Sequence, residues 1–370
     1  MKKISAVDLF CGAGGLTHGL ERAGISVEAG VDIDPHSKYP YEVNTDAEFV
    51  RSDVSPLAQT PERVKRMYPW DADVEVLGAC TPCQPYSPMG HSESEGHEDH
   101  DKWGLLKEVR KIVEYVDPDV VVTENVLQVR HDDVYDDFVD SLEDLGYTIN
   151  ADENKNVYGP EYGIPQKRKR WVMIASKDGE IRLPDPLYED ESEYPTVRET
   201  IGHLPQLDAG ETHPEHDLHR SRSLSDLNLE RIRNMVPGGD WRLWEDQGLD
   251  HLLADCHSRE SGRSYKAPYS RMRPDEPAPT ITTQFYNYGS GRFGHYDTEQ
   301  DRALSLLEGA LLQTFPADYD FYDEWEDIGV KNLGRLIGNA VPPRLGEYVG
   351  RAIRESFGEE ISPVESHADD

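Results

Sequence analysis

The chain has 370 residues, with 38 basic and 72 acidic side chains, a formal net charge of −34 and four cysteines. That length allows one large domain or two, so few cysteines exclude a disulfide scaffold and fit a reducing compartment, and no apolar run approaches the roughly 18 residues that span a bilayer. The acid is spread along the whole chain beside scarce lysine, as in proteins adapted to molar salt, where the Debye length is about 3 Å and distant repulsion is screened. At lower salt the same charge opposes nucleic acid as a partner. Met1 to Ser5 runs straight into a strand-like segment, so the expectation is a soluble, cytoplasmic protein with no signal peptide.

In chain order, Ile4–Phe10 reads as a strand, Cys11-Gly12-Ala13-Gly14-Gly15 as a glycine-rich turn, and Leu16–Ala23 as a helix stopped at Gly24. A close backbone approach at Gly12 and Gly14, next to a helix N-terminus, suits a nucleoside-bearing ligand; a plain tight turn explains the same glycines. Ser26–Val31 reads as a second strand ending in Asp32-Ile33-Asp34. An acid there, about 20 residues after the glycine turn, is where a ribose diol is usually held. Ala47–Val50 reads as a third strand, followed by Asp53, which could accept from an adenine amino group or simply cap a helix. Val74–Gly78 and Val120–Thr123 read as buried strands, with helices over Pro61–Met67, Gly104–Tyr115 and Val134–Leu145. This alternation predicts an α/β fold with a doubly wound, mostly parallel sheet.

The fourth strand leads into Cys80-Thr81-Pro82-Cys83-Gln84-Pro85-Tyr86-Ser87-Pro88. Its prolines forbid a helix and stiffen the backbone around Cys83. A thiol held at the carboxyl edge of such a sheet is placed to act as a nucleophile. The spacing of Cys80 and Cys83 also fits a redox pair or half a zinc site, but no second such pair exists. Tyr147–Val157 and Trp171–Ser176 read as strands around Gly163-Ile164-Pro165-Gln166-Lys167-Arg168-Lys169-Arg170, whose four basic residues in a row suit an anion or nucleotide contact in so acidic a chain, where a solvated charge run is the plain alternative.

Composition shifts near Leu183, and Pro184–Pro279 reads as a second, smaller lobe. Its Arg220, Arg222, Arg231, Arg233, Arg259, Arg263, Arg271 and Arg273, with Trp241, Trp244, Tyr265 and Tyr269, make a nucleic-acid-like mixture. Asp301–Phe315 is an expected amphipathic helix, and a last helix is expected from about Arg344 to Ser356. The expected division is 1–183, 184–279, a return to the first domain over 280–356, and a disordered acidic tail over 357–370.

Six ordered blocks resemble those of the DNA cytosine-5 methyltransferases: Asp8-Leu9-Phe10-Cys11-Gly12-Ala13-Gly14-Gly15, Pro82-Cys83-Gln84-Pro85-Tyr86-Ser87, Glu124-Asn125-Val126, Gln166-Lys167-Arg168-Lys169-Arg170, Leu312-Gln313-Thr314-Phe315-Pro316, and Gly338-Asn339-Ala340-Val341-Pro342-Pro343. The resemblance covers about residues 4–356. It implies a Rossmann-like catalytic domain that takes S-adenosyl-L-methionine and a target-recognition lobe over 184–279. It implies a covalent bond from Cys83 to C6 of a flipped-out cytosine, with Glu124 at N3, Arg170 at O2, and Arg168 supporting the nucleophile or a phosphate. For the cofactor it implies Phe10, Gly12, Gly14, Leu16, Asp32, Ile33, Asp53, Val54, Asn339 and Ala340; for DNA it implies Gln84, Ser87 and Asn125. Residues 87–101 would be a loop closing over the base, yet they carry Glu93, Glu95, Glu98, Asp99 and Asp101, where basic residues would suit phosphates. The implied partner is double-stranded DNA, with no membrane and a monomeric chain; whether a cognate restriction endonuclease acts on the same site is left open by the sequence. A tRNA cytosine-5 methyltransferase shares these motifs, and the long arginine-bearing lobe favours DNA. A catalytically silent DNA-binding regulator is opposed by intact Cys83, Glu124 and Arg170.

Overall fold

A computed structural model describes residues 2–82, 104–255, 257, 263–264 and 266–359. Its centre is a sheet built from β1 (Ile4–Leu9), β2 (Ser26–Asp32), β3 (Glu48–Arg51), β4 (Val74–Ala79), β5 (Val120–Asn125), β6 (Thr148–Ile149), β7 (Asn156–Tyr158) and β8 (Lys169–Ser176). The strand order is β3-β2-β1-β4-β5-β8-β6, with β7 also paired to β8. β1 to β5 pair in parallel, and β8 runs antiparallel to β5, β6 and β7. The expected doubly wound, mostly parallel sheet is therefore the observed one, closed by an antiparallel group.

Helices α1 (Gly15–Arg22), α2 (Lys38–Asn44), α3 (Val54–Ala58), α4 (Leu105–Val116) and α5 (Asp133–Asp144) flank it. α4 forms because Leu106, Val109, Ile112, Val113 and Val116 recur at helical spacing and are all buried. β5 is buried at every position: Val120 and Val122 join one core, with α1 and the chain's last helix, while Val121 joins the other, with α4 and α5.

Three expectations are corrected. Tyr147–Val157 is not one strand. It breaks into β6, a helical turn over Asp152–Lys155, and β7. The break comes at Asn150: its backbone N–H still donates to Ile174 O at 3.0 Å, and its side chain then accepts from Ile174 N at 2.9 Å and donates to Val172 O at 3.2 Å, taking up the next positions of the neighbouring strand. The helix expected over Asp301–Phe315 is only α6 (Leu306–Leu312). It starts late because Ser305 and Glu308 form a capping box, and 302 and 304 pair with 295 and 293. α7 (Trp325–Asn339) has no counterpart among the expected elements; it is broken at Gly329, whose φ of 66° belongs to no helix. The last helix, α8 (Pro343–Ser356), begins with proline in its first turn as expected.

Packing does not break at residue 279. Val197, Ile201, Met272, Ala278, Ile281 and Phe285 share one core with α6 and α7. Residues 357–359 are not loose tail either: Phe357 packs on the first core and Glu359 pairs with Arg354. α1 and α8 meet backbone to backbone. A Cβ on Gly15 would lie 2.1 Å from Val341 O, and one on Gly19 would lie 2.2 Å from Pro343 O. Only glycine lets these backbones meet, and the contact brings the chain's end beside its first βα unit. No helix among the described residues is long and apolar enough to cross a membrane.

Candidate active site

The strand order turns between β1 and β4, where Leu9 lies opposite Ala79. That switch opens a crevice at the strands' carboxyl ends. Beyond β1, Phe10, Gly12 and Gly14 all take left-handed backbone angles, with φ of 63°, 52° and 90°. A bulky residue rarely adopts this conformation, so the turn is tightly specified. Gly12 N–H donates to Asp32 Oδ2 at 2.9 Å, and Asp34 N–H donates to Asp32 Oδ1 at 2.8 Å. Burial raises the Asp32 carboxyl, against the pull of those two backbone donors. Burial also acts on Asp34, but Arg335, at 2.5 Å, and His36 outweigh it and hold that carboxyl low. A Cβ added to Gly12 would meet nothing within 4 Å, so the turn faces open space.

Around that space stand the other expected residues. Ile33 is 62% exposed, a large apolar side chain turned outward at the end of β2. Asp53 caps α3 by accepting from Ser55 N at 2.9 Å through Oδ1, which leaves Oδ2 for a ligand. Val54 and Leu16 are buried beneath. Ala340 packs on Gly15, and Asn339 is exposed at the end of α7. Asp8, below the turn, accepts from Thr17 Oγ1 at 2.8 Å, and Thr17 Oγ1 lies 3.0 Å from the Tyr41 hydroxyl. Burial pushes the Asp8 carboxyl up to about 7, against the Thr17 hydrogen bond and aided by Asp32. Burial likewise lifts the Cys11 thiol well above its ordinary range.

The second group lies at the end of β5. Antiparallel register puts Glu124 opposite Val172, so Arg170, two residues before Val172, projects to the same face. Glu124 Oε1 lies 2.8 Å from Arg170 Nε and 3.9 Å from Arg168 Nε. The 2.8 Å contact is an ion pair whose N–H does not point at the oxygen. Glu124 and Arg168 are only 6% and 4% exposed. Asn125 is equally hidden: its amide donates to Thr81 O at 3.4 Å and Thr81 Oγ1 at 3.3 Å. It thus grips the root of the segment leading to Cys83 and is turned away from the surface, where a DNA contact was expected. Cys83, Gln84, Ser87 and the expected closing loop lie outside the described residues.

The run 166–170 splits between two duties. Gln166 is fully buried; it donates to Leu312 O at 2.9 Å and Gln313 Oε1 at 2.6 Å, and accepts from Ile281 N at 3.0 Å. Arg168 donates to Ala340 O at 3.1 Å. Gln313 donates on to Ile337 O at 2.6 Å. These bonds bind the catalytic sheet to the returning segment. Lys167 and Lys169 point outward.

The model of the family described as C-5 cytosine-specific DNA methylase matches residues 4–355. The chain belongs to that family. It is a DNA cytosine-5 methyltransferase. The methylase is 42% identical over 353 residues to Type II methylase M.HgiDII of Herpetosiphon aurantiacus, covering 95% of each chain. It is 31% identical over 359 residues to Type II methyltransferase M1.HphI of Haemophilus parahaemolyticus, covering 95% of this chain and 86% of that one. Its fold is similar to that of Entamoeba histolytica methyltransferase EhMeth, with a TM-score of 0.65 at 14% identity over 97% of this chain and 100% of that one.

Sequence reasoning missed three supports of the site. Arg335 anchors Asp34, Tyr319 donates to Ala13 O at 2.5 Å across the glycine turn, and Gln313 completes the link to Gln166. Only Gln313 sat inside a quoted block. The arginines of the second lobe are corrected in part. Arg231 and Arg271 are buried and hold backbone carbonyls: Arg271 reaches those of Ile232, Met235, His295, Asp297 and Gln300, and the Asp301 carboxylate at 2.6 Å. Trp241 and Trp244 fill a small core of their own. These side chains build the lobe and are not available to DNA. Arg259 and Tyr265 lie outside the described residues.

Proposed function

We propose that the chain methylates C5 of a flipped-out cytosine at a specific site in double-stranded DNA, by covalent catalysis through Cys83, as the modification half of a restriction system. One observation carries the reading: a buried carboxylate, Glu124, stands at the end of β5 with two guanidinium groups beside it, Arg170 at 2.8 Å and Arg168 at 3.9 Å. The neighbouring strand β4 leads directly to Cys83. Relatives named Type II methylases support the restriction context.

The cofactor reading rests on the crevice at the sheet's switch point. The residues fit S-adenosyl-L-methionine: Asp32 retains acceptor capacity for a ribose, Ile33 offers an exposed apolar face for adenine, Asp53 keeps Oδ2 free of its capping bond, and the open space at Gly12 admits a backbone-close chain, with Gly14 packed against Tyr319, Tyr41 and Thr45 behind it. Leu16, Val54 and Ala340 form its buried wall, with Phe10 and Asn339 at its edges. Bound there, the group supplies an electrophilic methyl.

Cytosine C5 is too weak a nucleophile for a methyl group until the ring is activated. The Cys83 sulfur adds to C6, its S–C bond forming as the C5–C6 π electrons move toward N3. Glu124 shares a proton with N3, which neutralises that charge. Arg170 turns from Glu124 to O2, and Arg168 keeps positive charge near the thiolate. Once C5 is methylated, loss of its proton returns the electrons and expels Cys83. The base must first leave the duplex, at a cost of a few kcal/mol; the handling of bases by DNA methyltransferases is a known case of flipping.

The test is to incubate the protein with duplex DNA and methyl-labelled cofactor, then to identify the product nucleoside by mass spectrometry. The expected product is 5-methyldeoxycytidine, with bisulfite sequencing giving its context. Label on an exocyclic nitrogen, or only on a tRNA transcript assayed in parallel, overturns the reading.

A further inference from the structure

Beside the catalytic group, on the outer side of the same basic run, is a cavity of about 410 Å³ lined by Lys167, Lys266, Arg273 and Arg292 with Glu276. Four cations around one carboxylate contradict the rest of a chain that carries −34. Glu276 accepts from Lys167 Nζ at 2.6 Å and Arg273 Nη1 at 2.7 Å. Lys266 and Arg292 make no ion pair with a described residue. Glu276 answers two of the cations and the Asp240 carboxylate acts on Lys266 at longer range, yet positive charge stays in excess and the cluster is held together by the backbone. Lys167 N–H donates to Ala278 O at 2.7 Å, Ala278 N–H to Pro165 O at 2.9 Å, and Pro277 and Pro279 stiffen the wall. The floor therefore belongs to the catalytic sheet and to the end of the second lobe at once.

Lys167 and Arg170 are three residue steps apart, at most about 10 Å of extended chain. A nucleic-acid strand advances about 3.4 Å per nucleotide. A group in the cavity thus lies within about three nucleotides of a base held at Glu124. The geometry points to a phosphodiester-binding site: the cavity grips the DNA backbone flanking the flipped cytosine and takes over a duty that the acidic segment 87–101 is ill suited to perform. This rests on the DNA-methylation reading and adds to it the residues that hold the strand. Lysine and arginine in a preformed cavity recognise the charge and oxygens of any phosphate and carry no base information.

The experiment measures binding of a fluorescent duplex to the full-length chain across KCl concentrations at which circular dichroism shows it folded. Three proteins are compared: the natural chain, Lys266→Gln with Arg292→Gln, and the charge-retaining Lys266→Arg with Arg292→Lys. Each lost phosphate contact should lower the slope of log affinity against log salt by about 0.9. The expected result is a slope lower by about 1 in the glutamine pair, on target and unrelated duplexes alike, with the charge-retaining pair keeping the natural slope. An unchanged slope in the glutamine pair overturns the proposal, as does a loss confined to one sequence, which would mean base reading. Product analysis is independent: a normal 5-methyl product with an unchanged slope sinks the cavity alone, whereas a lowered slope with label elsewhere sinks the chemistry alone.

Discussion

Replacing Gly19 by alanine sets two known effects against each other. In an ordinary helix interior the change stabilises by roughly 1 kcal/mol, because alanine orders at lower entropic cost. Here the new methyl would lie 2.2 Å from Pro343 O, 2.5 Å from Glu347 N and 2.6 Å from Gly346 C, all of them backbone atoms. Ordinary contact needs about 1 Å more, and no side-chain rotation can supply it, so α1 and α8 must part. Overpacking of this kind costs typically 1–3 kcal/mol. Parting would also loosen Leu16, Leu20, Leu345 and Val349 in the shared core. The expected net effect is a loss of up to about 2 kcal/mol, centred on about 1, in urea denaturation, with a weaker affinity for S-adenosyl-L-methionine by calorimetry, since Val341 and Ala340 lie against Gly15 in the same contact. A gain of about 1 kcal/mol would refute the reasoning, for it would mean that the last helix does not rest on the first.

Glu124→Gln should lower turnover by about 10²- to 10⁴-fold, the usual worth of a positioned proton-transfer group, while cofactor affinity measured by calorimetry stays within a few-fold. A near-natural rate would remove Glu124 from the chemistry. Asp8→Asn should change the pH dependence of stability. The natural carboxyl, at about 7 when folded, favours its proton in the native state. Its contribution is fully present below an unfolded value near 3.9 and is lost as pH rises through about 7. Between pH 5 and 8 the variant should gain on the natural chain by roughly 3 kcal/mol, at about 1.4 kcal/mol per unit; parallel denaturation curves at the two pH values check this, and a constant difference would contradict it. Gln166→Leu and Gln313→Leu should each destabilise by about 1–3 kcal/mol, because each strands buried polar partners. Their double-mutant cycle should show coupling of at least about 0.5 kcal/mol, and strict additivity would argue against the 2.6 Å contact between them.

The parallel part of the fold was legible because each strand is a short apolar run closed by a glycine, proline or acid. β5 illustrates this, since its buried run needed no partner to be recognised. The segment 147–158 was not legible, since the choice between one strand and two rests on what Asn150 finds across the sheet at 172 and 174. α7 was hidden by Gly329 and by its acidic first turn, which give no sustained periodicity. Glu124 and Arg170 were named through contiguous blocks that resemble the family's, and the antiparallel register of β5 and β8, which no block reveals, makes them a pair. Arg335 and Tyr319 could not be read, because they reach Asp34 and the glycine turn from about 300 residues away in sequence. The buried arginines of the second lobe show the opposite failure: residue type suggested DNA, and burial assigned Arg231 and Arg271 to backbone carbonyls. Asn125, for which the resemblance implied a DNA contact, is buried and holds Thr81.

The proposed chemistry turns on a covalent bond between Cys83 and the cytosine ring. A duplex carrying 5-fluorocytosine at the modified position tests it directly, since fluorine cannot leave C5 as a proton does and the adduct persists. Incubated with S-adenosyl-L-methionine, the natural chain and Cys80→Ser should each yield one protein–DNA species by denaturing mass spectrometry, and Cys83→Ser should yield none. A trapped species that survives the loss of the Cys83 sulfur, or a natural chain that methylates ordinary DNA yet never traps the fluorinated duplex, would contradict the account.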